Sequence, residues 1–113
     1  AFSGCTSLKS ITIPAGVRTI DEAAFESCTA LESVTLNEGL EKIDRWAFLG
    51  CTSLKTITIP KSVTGLGDLA LGAYKGDDDE YYRVDGFRMY CFKDTIAEEY
   101  AKYFEMEYEL VDE

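Results

Sequence analysis

Apolar residues recur along this chain in blocks that repeat every 23 residues. The repeat is carried by one phenylalanine, one cysteine and one leucine in each block: Phe2, Phe25 and Phe48; Cys5, Cys28 and Cys51; Leu8, Leu31 and Leu54. A fixed period of this length predicts a solenoid, in which each unit buries its apolar face against its neighbours. Folds of this kind usually offer extended surfaces for binding rather than pockets for chemistry.

Within each block, the alternation of apolar and polar residues predicts a short β-strand. In Leu8–Ile13 the apolar residues turn inward, while Ser10 and Thr12 face outward. A proline or a glycine then favours a tight turn. A second short extended segment follows and ends at an aliphatic residue, which is Ile20, Ile43 or Leu66 in the three blocks.

Each block closes with a segment for which the sequence predicts a single helical turn. This segment is Asp21–Phe25 in one block and Asp44–Phe48 in the next. An aspartate that precedes a helical turn often caps it, because its carboxylate accepts hydrogen bonds from free backbone amides. We therefore expect the two aspartates to be N-caps and the two phenylalanines to fill the convex side of the core.

Three consecutive units match the pattern A-F-x-x-C-T-x-L-x-x-I-T-I-P-x-x-V-x-x-I at nearly every position. This pattern resembles the bacterial surface-antigen (BspA-like) class of leucine-rich repeats, and the resemblance covers residues 1 to about 71. It implies an α/β leucine-rich-repeat solenoid that is right-handed and carries a short parallel sheet on one face.

A fourth unit begins near residue 70 and then departs from the pattern, with Tyr74 in place of the cysteine. The spacing of the strand residues returns seven residues late, as V-x-x-F-x-M beginning at Val84. This delay predicts an insertion within residues 74–83, followed by a fourth ladder strand over about residues 87–92.

The last segment of the chain predicts a cap of one helix and one strand. Thr95 and Glu98 fit a capping box at the start of the helix, and Glu98 is spaced for an ion pair with Lys102. Apolar residues follow at helical spacing: Ile96, Ala97, Tyr100, Ala101 and Phe104. The final strand alternates apolar residues with three glutamates, and charges on an edge strand discourage further stacking.

These patterns predict one domain over residues 1–113. It has three regular repeats in residues 1–69, an interrupted fourth repeat in residues 70–92 and the cap in residues 93–113. A solenoid needs a polar cap at each end, and none precedes the first repeat. We therefore expect further repeats before Ala1.

The net charge of −10, from 11 basic and 21 acidic residues, bears on the choice of partner. Most of it lies in residues 70–113, which carry 5 basic and 13 acidic residues. An acidic surface repels phosphate backbones, so neither nucleic acid nor an anionic membrane surface is an expected partner. No run approaches the about 20 apolar residues of a membrane-spanning helix, so no membrane insertion is expected.

The repeated cysteines predict a column of buried free thiols. Equivalent side chains on stacked coils point in parallel, whereas a disulfide needs two Cβ atoms turned toward each other at about 3.8 Å. Cys5, Cys28 and Cys51 are therefore expected to act as small apolar residues. Cys91 lies outside this column and has no obvious partner in the sequence.

The residue types that catalysis most often uses are scarce, so we expect no enzyme activity and no cofactor. Histidine is absent, which removes the commonest general base and the commonest zinc ligand. The glycine-rich patterns that bind phosphate groups, G-x-x-x-x-G-K-[ST] and G-x-G-x-x-G, do not occur in the sequence. The run Asp77–Glu80 is a candidate for calcium, but consecutive acids do not match the alternating ligands of a calcium loop. A solvated acidic loop is the alternative, and no metal site is predicted.

Two sets of residues are candidates for ligand binding. The first set forms two polar columns on the strands: Ser10, Ser33 and Thr56, and beside them Thr12, Thr35 and Thr58. These columns make a repeated flat surface, although solvated strand faces are also common where nothing binds. The second set is Tyr81 and Tyr82 beside the acidic run, because aromatic residues are favoured at interfaces. Alternatively, these tyrosines pack the insertion against the solenoid.

The residues and the resemblance together predict a non-catalytic module that binds an extracellular protein or a glycan. The resemblance implies a secreted or cell-surface bacterial protein with a role in adhesion or host interaction. The alternative is a structural spacer or terminating cap of a larger surface protein, with no ligand of its own.

Overall fold

A computed structural model describes residues 4–111 of the chain. The expected start of the first repeat at Ala1 and Phe2, and the end of the expected cap at Asp112 and Glu113, lie outside the described residues. Within them the chain forms a β-solenoid of about four turns with a single helix near the C-terminus. The solenoid predicted from the 23-residue repeat is therefore confirmed.

The described residues form ten short strands and one helix. The strands are β1 Ser10–Thr12, β2 Thr19–Ile20, β3 Ser33–Thr35, β4 Lys42–Ile43, β5 Thr56–Thr58, β6 Gly65–Leu66, β7 Ala73–Lys75, β8 Tyr81–Arg83, β9 Arg88–Cys91 and β10 Glu107–Leu110. The helix is α1 Ile96–Tyr103.

The strands stack into two ladders that run along the solenoid. The first ladder contains β1, β3, β5, β9 and β10, and the second contains β2, β4 and β6; every hydrogen-bonded pair in them is parallel. Ser10 lies opposite Ser33, and Ile20 lies opposite Ile43, so the stacking register is the sequence period itself. Coil 2 of the solenoid contains β3 and β4, and coil 3 contains β5 and β6.

The first ladder is interrupted between β3 and β5, a junction that we call the seam. Ile13 N–H donates to Thr35 O at 2.8 Å, and Ile59 N–H donates to Tyr90 O at 2.8 Å. Leu36 occupies the equivalent position in coil 2, but its N–H makes no such bond within residues 4–111. The second ladder passes the same junction unbroken, because Ile43 still pairs with Leu66.

The core lies between the two ladders and extends along the solenoid. Phe25 and Phe48 stack with ring centroids 5.1 Å apart and planes 3° from parallel, as expected for the convex side. Leu31, Leu40 and Ile43 are fully buried. A fully buried aliphatic or phenylalanine side chain contributes about 1.5–3 kcal/mol, so this repeated column supplies much of the stability.

The convex segments are turns, and the expectation of single helical turns was wrong. Ala23, Trp46 and Leu69 share one repeat position and have φ angles of 58°, 62° and 55°, which a right-handed helical turn excludes. Every second backbone amide bonds to the next coil: Phe25 N–H donates to Ala47 O at 2.7 Å, whereas Ala24 N–H donates within the turn to Asp21 O at 3.1 Å. The N-cap expectation also fails at Asp44, whose carboxylate accepts a hydrogen bond from the adjacent Arg45 N–H at 2.8 Å.

The interrupted fourth unit contains an antiparallel hairpin of β7 and β8, which we call the hairpin. The fourth ladder strand is present as β9, but Met89 pairs with Ile57 at an offset of 32 residues. An insertion of seven residues would have given an offset of 30, so the expected register was wrong. Phe87 N–H donates to Val84 O at 3.2 Å, just as Leu54 N–H donates to Cys51 O at 3.1 Å in a regular repeat. Phe87 therefore takes the place of the repeat leucine.

The C-terminal cap has the predicted helix and edge strand. Thr95 is the N-cap residue of α1, and its hydroxyl accepts a hydrogen bond from Glu98 N–H at 3.4 Å. The carboxylate of Glu98 accepts one from Asp94 N–H at 2.9 Å and lies 3.7 Å from the Lys102 ammonium. The expected apolar face is confirmed, since Ala97, Tyr100 and Ala101 are buried. None of the described helices is long and apolar enough to cross a lipid bilayer.

Cys5, Cys28 and Cys51 form no disulfide, as the parallel-column argument predicts, and Cys91 forms none either. Cys28, Cys51 and Cys91 are buried, and Cys5 is half-buried. The thiol of Cys51 donates to Phe25 O at 3.2 Å, and burial raises its pKa to about 12. Cys91 lies in the first ladder opposite Leu110 and not in the column.

Candidate functional site

The outward side chains of the first ladder form a flat polar surface, which we call the ladder face. All six serines and threonines singled out in the sequence are exposed on it: Ser10, Thr12, Ser33, Thr35, Thr56 and Thr58. They face outward because the intervening residue of each strand points into the core. The structure therefore places this first set on one continuous side of the molecule.

The ladder face continues beyond the repeats onto β9 and β10. Arg88 and Glu107 extend the column of Thr56, while Tyr90 and Glu109 extend that of Thr58. The guanidinium of Arg88 donates to Glu107 at 3.0 Å and to Glu109 at 2.8 Å. The hydrogen bond to Glu107 and the charge of Glu109 raise the pKa of Arg88 above its usual range.

Sequence reasoning did not place these charged and aromatic members of the ladder face. The outward alternation of Glu107 and Glu109 was visible, but their neighbour Arg88 was not, because the register of β9 depends on the hairpin that precedes it. The two alternating glutamates were the available signal, because such a pair favours a cation on the neighbouring strand.

The seam opens a shallow depression on the ladder face. Its volume is about 280 Å³, and Thr35 from coil 2 and Thr58 from coil 3 stand among the residues that line it. Leu36 and Pro60 give it an apolar part, and Glu38 gives it one charge. Two of the predicted binding residues thus flank a recess in an otherwise flat surface.

Tyr81 and Tyr82 lie elsewhere, on β8 of the hairpin, and each is 43% exposed. They line a groove of about 600 Å³ between the hairpin and the C-terminal cap, which we call the tyrosine groove. Phe104 and Met106 line its other side. None of the six ladder-face serines and threonines lines this groove, so the two predicted sets of residues form two separate surfaces.

The two tyrosines have different surroundings. The hydroxyl of Tyr82 donates to the carboxylate of Asp78, and its ring lies 5.6 Å from the ring of Tyr74. That hydrogen bond lowers the pKa of Asp78 and raises the pKa of Tyr82. The hydroxyl of Tyr81 makes no hydrogen bond within the described part of the chain. Tyr82 therefore packs the hairpin, whereas Tyr81 is open to the groove.

One hydrogen bond joins the hairpin to the cap at the tyrosine groove. The Arg83 guanidinium donates to the backbone oxygen of Glu105 at 2.6 Å. Phe104 packs against Tyr100, with the two ring centroids 4.7 Å apart. These contacts set the distance between the two walls of the groove.

The acidic run does not gather its carboxylates around a common point. Asp78 accepts hydrogen bonds from Glu80 N–H, at 3.1 Å, and from the Tyr82 hydroxyl. Asp79 lies 3.6 Å from the ammonium of Lys75. In residues 4–111 no three acidic or cysteine side chains are placed to hold a metal ion.

The groups whose pKa values shift furthest lie in the core rather than in a groove. Burial raises the pKa of Cys51 and that of Tyr100 to about 12. A raised pKa keeps a thiol or a phenol protonated, which is the opposite of what activates a nucleophile. The arrangement is suited to non-covalent contacts.

Comparison with protein families identifies the repeat. A family model described as BspA type leucine-rich repeat region (6 copies) matches residues 1–97. This range contains all of the regular repeats, the hairpin and the start of α1. No protein of curated function is significantly similar to this chain.

Two solved structures share the fold. One is a leucine-rich cell surface protein from Faecalibacterium prausnitzii A2-165, with 19% sequence identity and a TM-score of 0.57 over 84% of this chain and 38% of that one. The other is a leucine-rich repeat protein from Bacteroides ovatus ATCC 8483, with 30% identity and a TM-score of 0.56 over 79% of this chain and 26% of that one. This chain therefore spans well under half the length of either protein.

Proposed function

This chain belongs to the BspA-type leucine-rich-repeat family, and we propose that it is a non-catalytic module that binds an extracellular protein or a glycan. The observation that carries the proposal is the ladder face. Its outward side chains extend over five stacked strands, and those of the six serines and threonines are exposed and contribute nothing to the core.

The chemistry of the ladder face fits a polar ligand. A serine or threonine hydroxyl both donates and accepts hydrogen bonds, so one column of them matches peptide groups as well as sugar hydroxyls. The strands hold these hydroxyls at fixed spacing before any ligand arrives, which lowers the entropy lost on binding. The depression at the seam, between Thr35 and Thr58, supplies the concave part of the surface.

A cell-surface or secreted location is part of the proposal. It is supported by the family and by the fold shared with a protein described as a leucine-rich cell surface protein. Adhesion or host interaction is the role that such a location and such a surface favour.

A binding screen with matched variants tests the ladder face. The full chain is screened at physiological salt against extracellular-matrix proteins and a glycan array, beside a Thr35→Lys variant. The control is Thr19→Lys, which places the same charge on an exposed strand residue of the second ladder. We expect saturable binding that Thr35→Lys weakens at least about tenfold and Thr19→Lys leaves unchanged, with equal melting temperatures. Equal loss in both variants would contradict the assignment of binding to this face.

A terminating cap is the second candidate, and the edge strand β10 favours it. Glu107 and Glu109 point outward on this strand, and like charges on an edge oppose the addition of another strand. If the folded chain binds nothing in the screen and none of the peptide or glycan probes described below, the spacer or cap function replaces the binding function.

A further inference from the structure

The tyrosine groove combines an apolar floor with charged rims. Phe104, Met106 and Ala73 contribute apolar surface. Ala73 and Met106 are buried, with 2% and 8% of their surface exposed. Tyr81 stands at the edge with 43% of its surface exposed. A volume of about 600 Å³ is within the range of about 300–1,000 Å³ that is typical of ligand sites.

The charge around the groove is negative. Its lining includes two exposed acidic residues, Asp85 and Glu105. The hairpin turn adds four more in Asp77–Glu80, all exposed. Three cations are nearby, and each is engaged: Lys55 with the backbone oxygen of Asp85 at 2.8 Å, Lys75 with Asp79 at 3.6 Å, and Arg83 with the backbone oxygen of Glu105 at 2.6 Å. Six acidic residues in and beside the groove therefore outnumber three cations that already have partners.

We propose that the tyrosine groove binds a lysine- or arginine-bearing segment of a partner protein. The inference rests on the proposed binding function and names the chemistry of one ligand for it. It assigns this ligand to the groove between the hairpin and the cap, and not to the ladder face.

The shape and the charge of the groove fit the two parts of a basic side chain. Lysine and arginine carry a long apolar stem that covers apolar surface while the charged head stays at the edge. The stem matches the floor at Phe104 and Met106, and the head matches the carboxylates of Asp85 and Glu105. The ring of Tyr81 is exposed enough to contact a cation, and arginine is the more frequent partner in such contacts.

Other ligands use less of what the groove provides. A neutral glycan would stack on Tyr81 but would leave the surplus of carboxylates without a role. A phosphate-bearing polymer would be repelled by the same surplus. A basic peptide uses both the aromatic ring and the charge, so these two features together select it.

The test measures binding of fluorescein-labelled peptides to the full chain by fluorescence anisotropy. The probe is an eight-residue peptide of alternating arginine and serine, compared with peptides in which glutamine or glutamate replaces every arginine. We expect saturable binding of the arginine peptide and none of the glutamate peptide. Affinity should fall severalfold between 50 and 200 mM salt, because the contacts are between charges near the surface.

Variants locate the site. Tyr81→Ala should weaken binding about tenfold, and the double variant Asp85→Asn with Glu105→Gln should weaken it at least as much. The matched control is Glu32→Gln with Glu41→Gln, which removes the same number of charges from exposed residues of coil 2. If the control weakens binding as much as the groove variant, the peptide is held by general attraction to an acidic chain, and the proposal is overturned.

The same experiment separates failure of this inference from failure of the binding function. A neutral chitohexaose that binds and is lost in Tyr81→Ala would overturn the basic-peptide ligand and leave the binding function in place. A ligand from the matrix or glycan screen that depends on Thr35, together with no binding of the arginine peptide, would do the same. Absence of binding to every probe, with the chain folded, would overturn both.

Discussion

At the scale of single residues, Tyr100 ties the cap helix to the solenoid by a hydrogen bond in each direction. Its hydroxyl donates to Leu71 O at 2.9 Å and accepts from Leu71 N–H at 3.0 Å. Both residues are buried, so no water can replace the lost partner without entering the core. One phenol thus satisfies two backbone groups at the junction of α1 with the fourth unit.

Tyr100→Phe is therefore expected to lower the free energy of unfolding by about 1–3 kcal/mol, because it leaves a buried donor and a buried acceptor unsatisfied. Urea denaturation measures the change. Tyr103→Phe is the control, since Tyr103 is 81% exposed on the same helix and should change stability by less than about 0.5 kcal/mol. Similar losses in the two variants would show that the hydroxyl of Tyr100 does not act through Leu71.

The thiol of Cys51 should make the protein sensitive to alkaline pH. Burial raises its pKa from 9.0 to about 12, so the folded state keeps the proton over a range in which the unfolded state loses it. The stability from this group is complete below about pH 9 and is lost as the pH rises toward 12. The melting temperature should therefore fall between pH 9 and 11, and fall less steeply in Cys51→Ala. An identical slope in the variant would assign the effect to other groups, of which Tyr100 is the first to examine.

At the scale of elements, coil stacking depends on close backbone approach at Gly67. A Cβ atom at this position would lie 2.3 Å from Arg45 N and 2.6 Å from Arg45 Cα, and neither backbone atom can move freely. Gly67 N–H also donates to Ile43 O at 2.8 Å, which fixes the spacing of coils 2 and 3. The glycine lets the convex turn of coil 3 lie directly on that of coil 2.

Gly67→Ala is expected to destabilise the chain by about 3 kcal/mol, at the upper end for overpacking, because the clash is with backbone. Thermal and urea unfolding report the loss. Gly65→Ala provides a matched control two residues away, since its Cβ would meet only the flexible side chain of Lys42 at 3.2 Å. We expect that control to stay within about 0.5 kcal/mol of the original chain. A tolerated Gly67→Ala would mean that the coils separate more easily than the packing suggests.

The sequence was sufficient to predict the strands whose backbone partners are determined by the 23-residue repeat. Strand positions such as Ser33–Thr35 follow from the alternation, and the 23-residue register follows from the period. The convex turns were not predictable from local propensity, because every second amide bonds to the next coil and because Ala23 and Trp46 adopt positive φ angles. The register of β9 failed for a related reason, since the length of the hairpin is not fixed by the repeat.

The candidate site divides in the same way. The six serines and threonines of the ladder face were predictable because strand alternation alone turns them outward. The tyrosine groove was not, because its second wall comes from residues about twenty positions later, which the Arg83 to Glu105 hydrogen bond brings to the hairpin. Tyr81 and Tyr82 were both identified as candidates. The sequence could not show that they have different roles, because that difference depends on the hydrogen bond between Tyr82 and Asp78.

At the scale of the whole molecule, the seam divides the first ladder into two stacks while the second ladder remains continuous. The backbone amides of Ile13 and Ile59 donate across coil junctions at 2.8 Å, whereas that of Leu36 makes no equivalent bond among the described residues. Stability in a solenoid is close to a sum over coils and their junctions. The junction of coils 2 and 3 is therefore the weakest part of the first ladder.

Native-state hydrogen exchange should reveal the seam. We expect the Leu36 amide to exchange at least about tenfold faster than the Ile59 amide at the same pH, because exchange needs an amide free of its hydrogen bond. Ile13 serves as a second protected reference in the same repeat position. Equal protection of Leu36 and Ile59 would show that the two stacks are joined in solution.

The seam also determines how the chain would respond to tension along the solenoid axis. Load passes from coil to coil in series, so the junction with the fewest bonds yields first. Among residues 4–111, the backbone hydrogen bonds that cross the seam lie at the second ladder, where Ile43 pairs with Leu66, and at the convex turns. Force would therefore spread Thr35 away from Thr58 as the coils pivot about the second ladder. The tyrosine groove, whose walls both lie on the C-terminal side of the seam, would keep its shape under the same load.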